Sequence, residues 1–198
     1  MSCTETTPSP RKAAIFAWMD SIAGKRDSWL RRNAYFHTEH QRYMQFLIPK
    51  GGRVLDLGCG TGHLLASLEP AYGVGVDFSG RMIDIARENF PDLTFEIGDA
   101  EDPEIISKLE GPFDVIVVSD TIGYFEDCER TLRNLHRLCT SDTRIVIAYF
   151  SRYWEPVLRL AELFGVKMRQ PSNTATSGER VTLSFTLEQQ PDGELSNV

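Results

Sequence analysis

After residue 50 the chain alternates between two hydrophobic patterns. Short apolar runs, typical of strands, occupy residues 53–57, 73–77, 93–97, 113–119, 144–150 and 181–187. Apolar positions at helical spacing fill the segments between them, at residues 63–68, 81–89, 104–109, 128–139 and 155–164. Strands that alternate with helices through short loops need crossover connections. The pattern therefore predicts an α/β fold with a doubly wound, mainly parallel sheet that is covered on both faces.

Several boundaries of these segments carry helix-capping residues. Ser79 precedes the predicted helix at 81–89, and Asp102 precedes Pro103 at the start of the next helix. Both side chains can accept a hydrogen bond from the first helical turn, and proline is favoured at the first helical position. Gly165 follows the last predicted helix and suits a left-handed C-terminal cap.

The first 50 residues differ from the rest of the chain in composition and in hydrophobic pattern. Residues 1–10 are rich in Ser, Thr and Pro, which predicts a disordered tail. Apolar residues at helical spacing run from Lys12 to about Leu47, and the Pro-Lys-Gly-Gly segment at 49–52 ends them. We therefore expect a tail over 1–10, an N-terminal helical arm over 11–50 and a core domain over 51–198.

The first predicted strand runs into the glycine-rich sequence VLDLGCGTGHLL at residues 54–65, where a parallel sheet binds its ligands. A phosphate-binding P-loop is excluded because no lysine follows the glycines. A dinucleotide loop has the spacing Gly-x-Gly-x-x-Gly, whereas Gly58, Gly60 and Gly62 alternate. Asp56, two residues before the first glycine, would repel a pyrophosphate but attract the ammonium group of an amino acid. A simple strand-to-helix turn is the structural alternative.

Four motifs in order give the chain a resemblance to the class I S-adenosylmethionine-dependent methyltransferases over roughly residues 35–164. VLDLGCGTG resembles the glycine-rich motif I of that family. GVGVDFS resembles its second strand, whose final acid, here Asp77, holds the ribose hydroxyls. FEIGDAED resembles the segment in which Asp99 meets the adenine amino group and the Ala100 backbone faces the ring. FDVIVVSDTIGYFED resembles the fourth strand and the following loop, where methyl donor and acceptor meet.

The resemblance implies a Rossmann-like fold with a cofactor site for S-adenosylmethionine at the carboxyl ends of the strands. The implied cofactor-binding residues are Tyr35, Asp56, Gly58, Cys59, Gly60, Gly62, Asp77, Phe78, Asp99, Ala100, Glu101 and Ser119. The segment before motif I often folds over the cofactor in this family, which makes Tyr35, Phe36 and His37 the expected cover. His37 is the first candidate for a general base, with Asp120 and Tyr124 as rivals. Asp77 alone would also fit a nicotinamide enzyme.

Composition narrows the function classes further. The net charge of −7 argues against a nonspecific nucleic-acid binder, although residues 1–50 are basic. The loop after Ser119 also lacks the Asn-Pro-Pro-Tyr pattern of base methylation. No apolar stretch approaches the roughly 20 residues of a membrane span, so no integral membrane segment is expected. The four cysteines show no Cys-x-x-Cys spacing, which predicts no metal site and a reduced, cytoplasmic protein.

These features predict an S-adenosylmethionine-dependent methyltransferase that acts on a small-molecule acceptor, with lipid and quinone-like compounds among the candidates. The alternative is an S-adenosylmethionine-binding module without catalysis, or a regulatory partner of a catalytic subunit. That alternative rests on the C-terminal region, where only residues 181–187 resemble a strand after Gly165, so that the sheet edge could be shortened. The acceptor atom and the oligomeric state do not follow from the sequence.

Overall fold

The structure, a computed structural model, describes residues 9–149. Its helices are α1 (Pro10–Arg32), α2 (Ala34–Leu47), α3 (His63–Ser67), α4 (Gly80–Asn89), α5 (Pro103–Lys108) and α6 (Cys128–Leu135). Its strands are β1 (Arg53–Leu57), β2 (Tyr72–Asp77), β3 (Thr94–Ile97), β4 (Val115–Ser119) and β5 (Arg144–Ala148). Short 3-10 turns follow β4 and α6, at Ile122–Tyr124 and His136–Leu138. The predicted strand at 181–187, the predicted helix at 155–164 and the Gly165 cap lie outside the described residues.

The five strands form one parallel sheet in the order β3-β2-β1-β4-β5. The order of the strands reverses between β1 and β4, so that successive crossovers on the two sides run in opposite directions. Ligands of such sheets bind in the crevice outside the carboxyl ends of the strands at this reversal. The predicted doubly wound parallel sheet is confirmed, and its expected ligand crevice falls at the end of β1.

Two apolar clusters pack against the opposite faces of the sheet. One cluster joins Leu55 and Leu57 of β1 to Ile106 of α5 and Leu135 of α6. The other joins Val54 of β1 to buried side chains of the helices on the opposite face, which are Met44, Leu65 and Ile83. Alternate residues of β1 therefore belong to different clusters, as expected for a strand that is buried on both faces.

The predicted helix caps at Ser79 and Asp102 are confirmed. The Ser79 side chain accepts a hydrogen bond from Met82 N at the start of α4, and Asp102 accepts one from Glu104 N at the start of α5. Pro103 occupies the first position of α5. The predicted helix at 128–139 is shorter than expected, because α6 ends at Leu135 and a 3-10 turn completes the segment.

The N-terminal helical pattern forms two helices, of which α1 packs along α4 near the carboxyl ends of the strands. Asp20 accepts a hydrogen bond from the Ser79 hydroxyl at the start of α4. Asp27 lies 3.3 Å from His63 Nε2 at the start of α3 and accepts a bond of 3.3 Å from Asn89 Nδ2 at the end of α4. Polar contacts therefore fix the second half of α1 to the two helices that follow β1 and β2.

Gly75 of β2 provides a test of this packing. A Cβ atom at residue 75 would lie 2.7 Å from both Cys59 Sγ and Phe95 Cδ1, inside the core between β2 and the glycine-rich loop. We expect Gly75→Ala to lower the free energy of unfolding by about 1–3 kcal/mol, the usual cost of overpacking a core. Gly24→Ala is the matched control, since no atom lies within 4 Å of its added Cβ. Urea denaturation that finds the two variants equally stable would contradict the described packing.

Candidate cofactor site

The glycine-rich loop between β1 and α3 has a shape that side chains would disturb. Gly58 has φ of +80°, and an added Cβ would lie 2.0 Å from Thr121 Oγ1. Gly60 has φ of +54°, and its nearest neighbour would be the flexible Arg26 side chain, with Nε at 3.1 Å. Positive φ favours glycine. Gly58 therefore permits a close contact with Thr121 inside the fold. At Gly60 the nearest atoms to an added Cβ all belong to the Arg26 side chain.

Asp77 ends β2 and binds the backbone of this loop through its carboxylate. Its Oδ2 accepts a hydrogen bond of 2.9 Å from Gly60 N, and its Oδ1 accepts one of 2.9 Å from Ser79 N. Burial raises the pKa of this carboxyl, and the two backbone N–H groups and Arg26 oppose the effect. Each carboxylate oxygen keeps a second lone pair for a hydroxyl donor. Asp77 is thus both a structural anchor of the loop and a suitable acceptor for a diol.

Asp56 lies beneath the same loop and is only 1% exposed. Its Oδ1 has no hydrogen-bond partner among the described residues. Burial raises the pKa of Asp56 to about 7, and the nearby charge of Asp77 adds to the rise. A buried acceptor without a donor is costly, and a cationic donor would relieve the cost. The loop and Asp56 together fit the zwitterionic end of an amino acid better than a phosphate group.

A cavity between α1 and the carboxyl ends of the strands brings together five of the twelve predicted cofactor residues. The predicted residues that line it are Gly58, Asp77, Phe78, Asp99, Ala100 and, from the catalytic candidates, Tyr124. Lys12 and Phe16 of α1 form its opposite wall, together with Thr121 and Phe125 from the loop after β4. Among the described residues, α1 therefore closes this side of the cavity, a position that we expected Tyr35, Phe36 and His37 to take.

Other predicted residues lie elsewhere. The Tyr35 side chain is 82% exposed on α2 and does not line the cavity, because the α2 residues that pack inward lie on another face of the helix. Cys59 Sγ packs towards Gly75 in the core. Glu101 is 4% exposed and accepts hydrogen bonds from Glu126 N and Asp127 N, so that it anchors the start of α6. Gly62 is likewise a packing residue, since an added Cβ would lie 2.8 Å from Phe95 Cζ.

The catalytic candidates lie in the first turn of α2 (His37) and in the loop after β4 (Asp120 and Tyr124). His37 is half-buried, and its pKa falls to about 4 because of burial and the charges of Arg26, His40 and His63. Burial raises the pKa of Tyr124 to about 12, so its hydroxyl stays protonated at neutral pH. Asp120 has φ of +57°, a conformation that is uncommon outside glycine and occurs at functional sites.

Sequence reasoning missed three groups at this end of the sheet. His40 Nε2 lies 3.3 Å from Ser119 Oγ at the carboxyl end of β4. Arg26 is half-buried, and its Nε would lie 3.1 Å from a Cβ atom added at Gly60. Lys12 is 7% exposed and pairs with Asp99 of the cavity and with Glu101. The spacing of His37 and His40, one turn apart on a helix, was a signal that could have pointed to the first group.

Metal-binding clusters and membrane-spanning helices are both absent from the part of the chain that the structure describes. Within residues 9–149, no group of at least three His, Cys, Asp or Glu side chains could hold a metal ion. None of the described helices combines the length and apolar character needed to cross a bilayer.

Comparisons with known proteins identify the family of the chain. Residues 48–190 match the model of a family described as a methyltransferase domain. Magnesium-protoporphyrin O-methyltransferase of Rhodobacter capsulatus is 32% identical over 130 residues, covering 61% of this chain and 56% of that protein. A ubiquinone/menaquinone biosynthesis C-methyltransferase of Geotalea uraniireducens is 34% identical over 145 residues, covering 67% and 61%. The chain spans about half to three fifths of the length of such curated relatives.

The fold has a counterpart among solved structures. A Thermotoga maritima protein described as an S-adenosylmethionine-dependent methyltransferase, possibly acting on histamine, superposes with a TM-score of 0.63 at 20% identity. The match covers 77% of this chain and 70% of that one. The chain belongs to the family of methyltransferase domains, and the predicted class, the class I S-adenosylmethionine-dependent methyltransferases, is confirmed together with its cofactor.

The buried Asp56 predicts an unusual dependence of stability on pH. Its carboxyl has a pKa of about 7 in the folded protein against 3.8 as the reference value. Between these values the folded state binds more protons than the unfolded state, so the free energy of unfolding falls as pH rises and levels off above about pH 7. Asp56→Asn removes this penalty, and we expect it to be more stable than the natural protein by about 2–4 kcal/mol at pH 8.

Thermal or urea unfolding at pH 4 and pH 8 measures this difference. The gain from Asp56→Asn should fall below about 1 kcal/mol near pH 4, where the natural carboxyl is protonated in the folded protein and about half protonated in the unfolded chain. Asp92→Asn removes a carboxylate that lies on the surface, and it should show no comparable gain at either pH. A destabilised Asp56→Asn protein at pH 8 would mean that the Asp56 carboxylate has a stabilising partner.

Proposed function

We propose that this chain transfers the methyl group of S-adenosylmethionine to a small-molecule acceptor, and that the cavity under α1 is part of its cofactor site. The observation that carries the proposal is the position of Asp77. Its two oxygens lie between the glycine-rich loop and the start of α4, and the orphaned Asp56 oxygen lies beneath the same loop. A diol acceptor and an unpaired acceptor for an ammonium group are the two features that a nucleoside with an amino-acid tail requires.

The remaining contacts can be assigned on chemical grounds. The ammonium group of the methionine portion suits Asp56, and its carboxylate suits the half-buried Arg26 guanidinium beside Gly60. The ribose hydroxyls suit Asp77. Phe78, Asp99 and Ala100 line the cavity on the far side of Asp77 and suit the adenine ring with its amino group. When bound, this cofactor supplies an electrophilic methyl group on a sulfonium.

The residues of this chain then have to position the acceptor, exclude water and remove a proton where the acceptor needs it. Tyr124 is a hydrogen-bond donor rather than a base in this scheme, since its pKa of about 12 keeps the hydroxyl protonated. His37 is neutral at pH 7, but a pKa of about 4 makes it a weak base. His40 contacts Ser119 at the carboxyl end of β4, where donor and acceptor are expected to meet, and is therefore the base proposed here ahead of His37 and Asp120.

The acceptor class is proposed from the relatives. Similar relatives include a protein named for a magnesium porphyrin and one named for ubiquinone and menaquinone synthesis. Porphyrins and quinones are small molecules with large apolar surfaces. A nucleic-acid acceptor is not proposed, and a cytoplasmic location stays a prediction from the sequence. A cofactor-binding module without catalysis remains the alternative.

A screen for S-adenosylhomocysteine release separates catalysis from binding. We expect release with at least one of a panel of porphyrin, phenol, quinol and carboxylic-acid acceptors. With that acceptor, His40→Gln should lower kcat by about 100-fold or more, remove the pH dependence of kcat that reports the base, and leave the cofactor affinity unchanged. His37→Gln is the matched variant one turn earlier on α2. If His37→Gln lost activity and His40→Gln kept it, the assignment of the base would be wrong. Cofactor binding without release for any acceptor class would favour the binding module.

Asp77 is the sharpest test of the cofactor site. Charge-assisted hydrogen bonds to two ribose hydroxyls contribute about 1.5–3 kcal/mol. Asp77→Ala should therefore weaken S-adenosylhomocysteine binding by about 10- to 100-fold in titration calorimetry. Asp77→Asn should lose less, because it keeps one acceptor oxygen. NADH should bind poorly to all three proteins. Equal affinity in the natural protein and Asp77→Ala, or tight NADH binding, would contradict the proposed site.

A further inference from the structure

The first two turns of α1 lie in the cavity that the proposed function assigns to adenine. Lys12 Nζ forms ion pairs with both Asp99 and Glu101, and the lysine is 7% exposed. Asp99 is the carboxylate that the resemblance assigns to the adenine amino group. A nitrogen donor of the chain itself therefore already uses the acceptor that the base would need.

The aromatic surface of the same cavity is also covered by α1. The Phe16 ring stacks on Phe78 with ring centroids 4.0 Å apart and an interplanar angle of 17°. Lys12 and Phe16 are four residues apart on one helix, so their side chains project from the same face. Together they present a planar ring and an adjacent nitrogen donor to the cavity, the same two features that adenine presents.

Electrostatic interactions stabilise the contacts of Lys12 with Asp99 and Glu101. Burial lowers the pKa of Lys12, but hydrogen bonds to Asp99 and Glu101 outweigh it and raise the pKa above its ordinary value. Burial raises the pKa of Glu101. Lys12 and the N–H groups of Asp127 and Glu126 have the larger combined effect, so the pKa lies below its ordinary value. The pair is thus charged at neutral pH. The free volume left in the cavity is about 20 Å³, room for about one water molecule.

We infer that α1 is an internal competitor of the cofactor: Lys12 and Phe16 occupy the adenine subsite, and S-adenosylmethionine binds only when the first two turns of α1 leave it. This inference rests on the proposed function, because that function locates the subsite. The later turns need not move, since Asp20 and Asp27 attach them separately to α4 and α3. The apparent affinity for the cofactor is then reduced by the fraction of molecules in which α1 is docked.

Weakening the docked contacts should therefore tighten cofactor binding. Lys12→Met keeps the aliphatic stem and removes the charge, and Phe16→Ala removes the ring. We expect each variant to bind S-adenosylhomocysteine about tenfold more tightly than the natural protein in titration calorimetry, and the double variant more tightly than either. Lys25→Met on the exposed side of α1 and Phe46→Ala, 84% exposed on α2, are the matched controls and should not change the affinity.

A second measurement uses the natural protein, so that it does not depend on how the variants fold. Backbone amides in the first two turns of α1 should exchange faster with deuterium when S-adenosylhomocysteine is added, while amides of the glycine-rich loop exchange more slowly. Unchanged or weaker binding by Lys12→Met and Phe16→Ala, or added protection of these turns, would overturn the inference but leave the proposed function intact. Absence of S-adenosylhomocysteine binding by every protein, including the natural one, would overturn both.

Discussion

The structure depends on negative charge that is removed from water at the carboxyl ends of β1, β2 and β3. Asp56, Asp77 and Glu101 are buried, with relative exposures of 1%, 8% and 4%. A buried carboxylate is tolerated only where donors replace its hydration. Asp77 receives two backbone N–H groups and Glu101 receives Lys12 and the start of α6, whereas Asp56 Oδ1 has no partner in the described part of the chain. The unmet requirement coincides with the proposed site.

The same carboxylates that define the site also build the fold around it. Asp77 ties the Gly60 amide to the N-terminus of α4, so that the glycine-rich loop and the second crossover have one fixed relation. Glu101 ties the β3–α5 connection to the loop that follows β4. Substitution of these residues therefore changes both binding and stability, and measurements on them need both readouts. Asp56 is the exception, because its charge opposes folding and its proposed role concerns the ligand.

Local features of this protein were predictable from the sequence, and long-range docking was not. Strand β1 has the predicted bounds, and Ser79 and Asp102 cap the predicted helices, because these signals act within a few residues. The helical pattern before residue 50 was correct, but it could not show where α1 docks. Lys12 is buried through carboxylates as far as 89 residues away in the sequence, and no periodicity reports such a pairing. The cover was expected from Tyr35, Phe36 and His37 because they precede motif I, but that place in the sequence gave no information on which face of α2 turns inward.

Competition between S-adenosylmethionine and the start of α1 for one acidic, aromatic cavity can be seen in a crystal structure of the full chain with S-adenosylhomocysteine. We expect the ribose hydroxyls on Asp77, the adenine ring on Phe78 where Phe16 now stacks, the adenine amino group on Asp99, and Lys12 Nζ away from both of its carboxylates. A complex in which Lys12 still pairs with Asp99 and Phe16 still stacks on Phe78 would show that the cofactor and α1 do not compete.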